Sequence, residues 1–364
     1  MTAPTVDPEQ EQIVIHDASQ LQTSRLPKWA PPAIAVAAVI LAYLLVDVTG
    51  WGGPVLTGVV AAVLFVVGVA IASTVVEGSR AGRDRTATTL IYAALLLALL
   101  PLASVVWTLL SKGVQRLDGN FLGTSMNNIS SFDENGGAYH AIVGTLTQAG
   151  IATLITVPLG VLGAIYIVEY GRGMLANAIR FFVDVMTGIP SIVAGLFVLA
   201  FWVLLITPIF NDGRPQFSGF AAALALSVLM LPTIVRSTEE MLRLVPPPLR
   251  EGAYALGVPK WKTILSVVLP TAGPGIVTGI MLAVARAAGE TAPVLLVAGG
   301  NPAINFNPFS GNQSSLSLYV FEQAGVASAF AAPRAWAGAL TLVVLVLTLT
   351  IAAKLLARRS QLSR

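Results

Sequence analysis

Eight apolar stretches divide the chain, at about 32–49, 53–77, 88–111, 138–168, 180–208, 218–236, 271–298 and 335–357. Each approaches or exceeds the roughly 17–25 residues that a helix needs to cross a bilayer. The pattern therefore predicts an all-α integral membrane protein with about eight transmembrane helices. Lys and Arg give it a direction. Arg25 and Lys28 precede the first stretch, Arg80, Arg83 and Arg85 follow the second, and Arg172 and Arg180 separate the fourth from the fifth. Arg243, Arg250, Lys260 and Lys262 lie between the sixth and seventh, and Lys354, Arg358, Arg359 and Arg364 close the chain. These positions fall on one side, as expected where cytoplasmic connections retain positive charge. Residues 299–333, on the opposite side, hold no Lys or Arg. Both termini are accordingly expected in the cytoplasm.

The polar segments refine this layout. Residues 112–137 are rich in Asn, Gly and Ser and read as an extracytoplasmic loop. Residues 1–30 form an expected cytoplasmic tail. Asp7, Glu9, Glu11 and Asp17 precede any apolar residues in bulk, the reverse of a cleaved signal peptide. Over 364 residues, 55% are hydrophobic and only 11% charged, against roughly 25% charged in soluble domains. The net charge of +3 is strung between apolar runs instead of gathered in a patch, which argues against a nucleic-acid surface. The absence of Cys removes disulfides, thiolate metal sites and a Cys nucleophile, and His16 with His140 cannot make a zinc site.

One charged insert interrupts the apolar pattern, "EGAYALGVPKWKTILSVVLP" at residues 251–270. Pro246, Pro247 and Pro248 are expected to stop the preceding helix. A short helix then runs from Arg250 to Leu256, with Gly257 near its C-terminal end and Pro259 beyond it. Trp261, Ile264, Leu265 and Val268 continue amphipathically into the membrane at Pro270. A surface helix tethered at both ends to transmembrane helices can pass a push from a soluble partner into both of them.

The spacing of Glu251, Ala253, Gly257, Leu269 and Pro270 resembles the cytoplasmic EAA loop of ABC-importer permeases, with Gly252 in place of an alanine and Val267 in place of an isoleucine. Within that superfamily, "VDVMTGIPSIVAGLF" (183–197), "LMLPTIVRSTEEMLRLVP" (229–246) and "AVARAAGETAPVLLVAG" (283–299) resemble the PstA-type permease subunits of phosphate-specific importers. The resemblance spans about residues 88–360. It implies a six-helix type I (MetI-like) permease core over 78–364 in a bacterial plasma membrane, preceded by two additional helices at 31–77 whose role it does not supply. It implies a coupling loop at 246–266, with Glu251, Ala253, Leu256, Gly257 and Lys260 against a cytoplasmic ATPase. The implied partners are a second, PstC-type permease, two copies of a PstB-type ATPase and an extracytoplasmic PstS-type phosphate-binding protein. No G-x-x-x-x-G-K-[ST] occurs, so no cofactor is expected on this chain; ATP and Mg would be used by the partner ATPase.

The chemistry can also be argued from charge. Phosphate carries one or two negative charges, and an unpaired ion in hydrocarbon is prohibitively costly. Arg286 is expected near the middle of its span, where a charged side chain is a functional candidate by default, and its guanidinium suits phosphate oxygens. Glu290, four residues on, can pair with it, so a self-neutralising structural pair is the competing reading. Arg236 is either a topology anchor or a pathway residue, as the resemblance suggests, and Asp184 is expected to pair with Arg180. Gly188, Pro190 and Ser191 form a helix break whose N–H groups could meet an anion. Thr291, in "GETAP", joins Arg286, Glu290, Arg236 and Ser191 as an expected pathway residue. Gly275 and Gly279 form a GxxxG pair suited to close helix packing. Three other readings remain open: the C-type phosphate permease partner, a permease for another oxyanion such as sulfate, or a membrane-embedded enzyme using Glu290 and Arg286. The enzyme reading lacks any HExxH or GxSxG.

Overall fold

The computed structural model describes residues 25–50, 53–130, 132–171 and 173–362. Residues 1–24 of the expected tail, and the topology residues Arg172 and Arg364, lie outside them. The described residues form helices, with one isolated bridge between Gly299 and Gln313 and no named strand. Among the described residues, eight helices are long and apolar enough to cross a membrane, as the hydropathy pattern predicts.

Contacts divide the chain into two compact units, Met1–Val106 and Trp107–Arg364. In the first, α1 (Ala30–Thr49) packs on α2 (Pro54–Glu77). Pro near the start of each helix spares an N–H that would lack a partner there. The pair approaches closely because Gly68 faces Ile34: a Cβ would lie 2.7 Å from its Cγ2. At the end of α2, Glu77 accepts from the Leu26 N–H (2.7 Å) and Ser73 Oγ (2.8 Å) and pairs with Arg85 at 2.8 Å. Arg85 lies on α3 (Ser79–Gly113), which runs on past the division. Outward positions such as Val39, Ile40, Val63 and Ile71 are exposed, the surface expected of helices solvated by lipid tails.

The second unit continues with α4 (Gly119–Gly123), N-capped by Asp118. It is followed by α5 (Tyr139–Tyr170), α6 (Met174–Thr187), α7 (Ser191–Phe210), α8 (Gly219–Leu244), α9 (Pro247–Ala255), α10 (Lys260–Ala288), α11 (Ala292–Ala298), α12 (Leu316–Ala324) and α13 (Ala331–Leu362). Helix α8 is the centre, packed by α5, α6, α7, α10 and α11. Its buried residues Ala221, Ala222, Ala223 and Ala225 let neighbouring backbones approach, the usual device where burial from water does not drive helices together. Gly160 of α5 meets Ile234, with a Cβ 2.7 Å from Cγ2. On α10, Gly275 abuts Met241 and Gly279 abuts Ser237 with no room for a Cβ, which is the packing role expected of the GxxxG pair. These pairings make α8 and α10 antiparallel.

Two expected spans are differently built. The stretch 180–208 is two helices, α6 and α7, separated at Gly188, Ile189 and Pro190. Pro190 lacks the N–H needed to continue α6, so the predicted break falls where apolar composition alone suggested continuity. The stretch 271–298 begins earlier and ends sooner. Residues Lys260–Ala288 run as one helix through a π-helical turn at Ile264–Val268, and α11 is separate. Lys260, Trp261 and Lys262 thus open a span instead of completing a surface helix. Hydropathy misses this start because Ile264 and Val268 are buried while Trp261 and Leu265 are exposed, an amphipathic turn.

Candidate functional site

The breaks around α7 and α11 are adjacent. Ser191 opens α7 and Thr291 precedes α11. The two helices meet through Gly195, where a Cβ would lie 2.7 Å from Pro293 Cα. Arg286 sits in the last turn of α10, and Glu290 follows the helix end. This corrects its expected mid-span position: α10 stops at Ala288. The expected pairing is present, with Arg286 Nε 3.6 Å from Glu290 Oε1. The two groups are unequal, since the Arg286 side chain is 67% exposed and Glu290 19%. Glu290 is held from behind: its carbonyl accepts from Ser317 Oγ at 2.9 Å, and Ser317 belongs to α12. A small space lined by Glu290, Gln148, Ser315 and Ser317, among others, adjoins it. Gln148 donates to Gln313 Oε1 at 3.1 Å and to the Ser314 carbonyl at 3.2 Å. Ser317 thus holds the Glu290 backbone beside a buried polar network, while the guanidinium is left outward.

Arg236 lies on α8 beside Ser237, which packs on Gly279, so it stands about two turns, roughly 10 Å, along the helix pair from Arg286. The structure does not bring the two arginines together. Asp184 pairs with Arg236 and not with Arg180. A spacing of four within α6 made Arg180 the expected partner, but α6 lies against α8, so the partner comes from another helix. Glu239, which sequence reasoning missed, is the hub: it lies 2.7 Å from Arg243, 3.6 Å from Arg236 and 3.9 Å from Arg180, with its side chain only 7% exposed. Its spacing of three and four from Arg236 and Arg243 was the available signal.

The coupling residues lie on and just after α9. Pro246 precedes this helix, and Pro247 and Pro248 open it; proline starts a helix here as well as ending one. Its end is a Schellman cap: the Gly257 N–H donates to Tyr254 O (2.9 Å) and the Val258 N–H to Ala253 O (3.1 Å). Gly257 has φ +76°, the left-handed conformation such a cap requires. Ala253 is buried, whereas Glu251, Tyr254, Leu256 and Lys260 are exposed, Leu256 by 85%. Arg250 anchors the helix, pairing with Glu169 at 2.9 Å and donating to the carbonyls of Val245 (2.6 Å) and Leu242 (2.8 Å). At Gly252 a Cβ would meet nothing within 4 Å, so the alanine of the EAA pattern fits.

A buried-backed outer arginine, a small-residue helix core and a projecting, anchored helix between two spans describe a transport subunit of the membrane. The chain belongs to the family of binding-protein-dependent transport system inner membrane components, which residues 156–361 match. It is a multi-pass membrane protein. Among curated relatives it is similar to "Phosphate transport system permease protein PstA 1" of Mycobacterium tuberculosis (strain ATCC 25618 / H37Rv), 45% identical over 275 residues, 75% of this chain and 87% of the relative. It is 35% identical over 274 residues to the phosphate transport system permease protein PstA of Pasteurella multocida, 75% of this chain and 94% of that one. Among solved structures, a chain of a bacterial alginate ABC transporter in complex with an alginate pentasaccharide-bound periplasmic protein aligns with TM-score 0.53 at 18% identity. The alignment covers 78% of this chain and 99% of that one, a likeness of fold.

Proposed function

We infer that this chain is the PstA-type permease subunit of an ATP-driven phosphate importer. It forms part of the translocation route and receives the ATPase stroke through α9. The single observation that carries this reading is the unequal Arg286–Glu290 pair. A 67% exposed guanidinium whose carboxylate partner is held inside the bundle is free to meet an anion on a route shared with a second permease. Arg286 would contact the anion, with Glu290 tuning it; Ser191 and Thr291 edge the same breaks, and Arg236 serves a second level. Glu251, Leu256 and Lys260 present the coupling surface, while Ala253 and Gly257 give it shape. The partners under this reading are a PstC-type permease, two PstB-type ATPases using ATP and Mg, and a PstS-type binding protein. The chain itself is non-catalytic, carries no cofactor, and has both termini in the cytoplasm of a bacterium, with 78–364 as the permease core.

The test is co-purification of the associated subunits, reconstitution, and uptake of labelled phosphate with ATP inside. Phosphate uptake that unlabelled phosphate suppresses and sulfate does not is the expected result. Sulfate accumulation, or chemical turnover without a vectorial product, would replace the reading with one of its rivals.

A further inference from the structure

A cavity of about 530 Å³ opens where the end of α5, α6, the end of α8 and the start of α10 converge, lined by Glu169, Tyr170, Arg180, Arg243 and Lys260 among others. It lies at the opposite end of the α8–α10 pair from Arg286, since Arg243 and Lys260 follow Met241 and precede Gly275 in the antiparallel register.

Its charges do not cancel. Glu169 is committed to Arg250 at 2.9 Å. Asp184 is committed to Arg236, and Glu239 is shared by Arg236, Arg243 and Arg180. On the lining, three cations, Arg180, Arg243 and Lys260, meet one carboxylate, Glu169; the groups paired with them from behind, Arg250 and Arg236 against Glu239 and Asp184, cancel, so two positive charges are left around the cavity. Two donors are also underused. Arg180 Nε is enclosed and makes no hydrogen bond. The Lys260 ammonium touches neutral groups only, the Glu169 carbonyl and the Tyr170 ring, whose centroid is 4.7 Å away. Arginine forks and an ammonium with spare donors are the groups that recognise a phosphate-like anion.

We propose that this cavity is a binding site for a phosphate-class oxyanion, separate from Arg286, and that its occupancy is sensed by the α9–α10 segment. The connection is covalent and short. Lys260 lies three residues beyond the Gly257 cap, and Arg250 of α9 ties Glu169, a cavity wall residue, to the end of α8. An anion that draws Lys260 from the Glu169 carbonyl shifts the start of α10 against α9. Inorganic phosphate and the phosphodiester of an acidic lipid headgroup share the required chemistry. The site rests on local charge, whereas its effect on coupling rests on the proposed role of α9.

The test uses the assembled transporter carrying Arg286→Gln, so that the principal proposed pathway contact is removed and failure of that reading leaves this one measurable. In phosphatidylcholine nanodiscs, equilibrium dialysis of labelled inorganic phosphate should show saturable binding, weakened at least about tenfold by Arg243→Gln or Arg180→Gln. Arg243→Lys, which keeps the charge, should lose much less and controls for misfolding. In nanodiscs containing phosphatidylglycerol, retention of that lipid by the parent and not by Arg243→Gln, with no binding of free phosphate, would uphold the site with a lipid occupant. Equal phosphate binding and equal lipid retention in parent and both Gln variants would overturn it. The ATPase rate without binding protein is read in parallel. A rate that follows phosphate in the parent at concentrations about tenfold below those needed in Arg243→Gln supports sensing by α9–α10, and identical dependence in both removes that half of the proposal.

Discussion

Arg286 in the last turn of α10 interacts favourably with the helix dipole, because cations are stabilised near C-terminal carbonyls. Its stability therefore does not depend on Glu290 alone, and the two roles open to it can be separated. Arg286→Gln by itself leaves Glu290 without its cation, so a structural pair and a substrate contact both predict damage. The double change to Gln at both positions restores neutrality. If the arginine is structural, uptake should largely return; as a pathway contact, assembly returns and phosphate uptake stays at a few per cent or less. Recovery of uptake to near the parent level, at matched membrane expression, would take Arg286 off the route. Glu239 makes a contrasting case. Glu239→Gln leaves Arg180 and Arg243 without a carboxylate and Arg236 with Asp184 alone, and should lower the stability of the solubilised complex by about 2 kcal/mol after allowance for the exposure of those arginines. An unchanged melting temperature would contradict the hub. The Arg286–Glu290 pair was legible because its partners are four residues apart, a spacing whose contact survives the turn in which α10 ends. Asp184 was misassigned because its partner is fixed by tertiary packing, which sequence spacing does not encode.

At the scale of elements, α9 was the most legible part of the chain, since its prolines, left-handed glycine and apolar turn are each a local signal. Its Schellman cap makes Gly257 testable: Gly257→Ala forces a side chain into φ +76° at a cost of about 1–2 kcal/mol. The expected outcome is a frayed α9 with weaker ATPase co-purification while the spans still insert. Undiminished co-purification and uptake would show that the cap does not position the docking surface. Gly252→Ala should act in the opposite direction. The added methyl meets no atom and stabilises a helix by roughly 0.5–1 kcal/mol over glycine, so ATPase association should hold or improve; loss of association would mean that a partner backbone comes close at that position. The broken elements were harder to read. Hydropathy averages across Gly188–Pro190 and across Gly289–Thr291, because each break is only a few residues long and lies between apolar runs.

The whole molecule divides inside α3, whereas the family match begins only at residue 156, within α5. Composition announced every span but could not say which spans belong together, since lipid-facing and helix-facing residues are both apolar. Deletions turn this into a question of parity. Removing residues 1–77 takes away α1 and α2, two crossings, and leaves Arg80, Arg83 and Arg85 in the first turns of α3 as the positive flank expected to keep its start in the cytoplasm. Phosphate uptake should therefore survive, reduced by the loss of the Glu77–Arg85 contact but measurable. Removing residues 1–106 cuts away three crossings, counting most of α3, and with them the basic flank. The first remaining span, α5, then has to be oriented by the sparsely charged segment before it, so a C-terminal reporter should appear at least partly outside and uptake should vanish. Complete loss of uptake in the shorter deletion, with the C-terminus still cytoplasmic and the ATPase still bound, would mean that α1 and α2 act in the transport cycle itself.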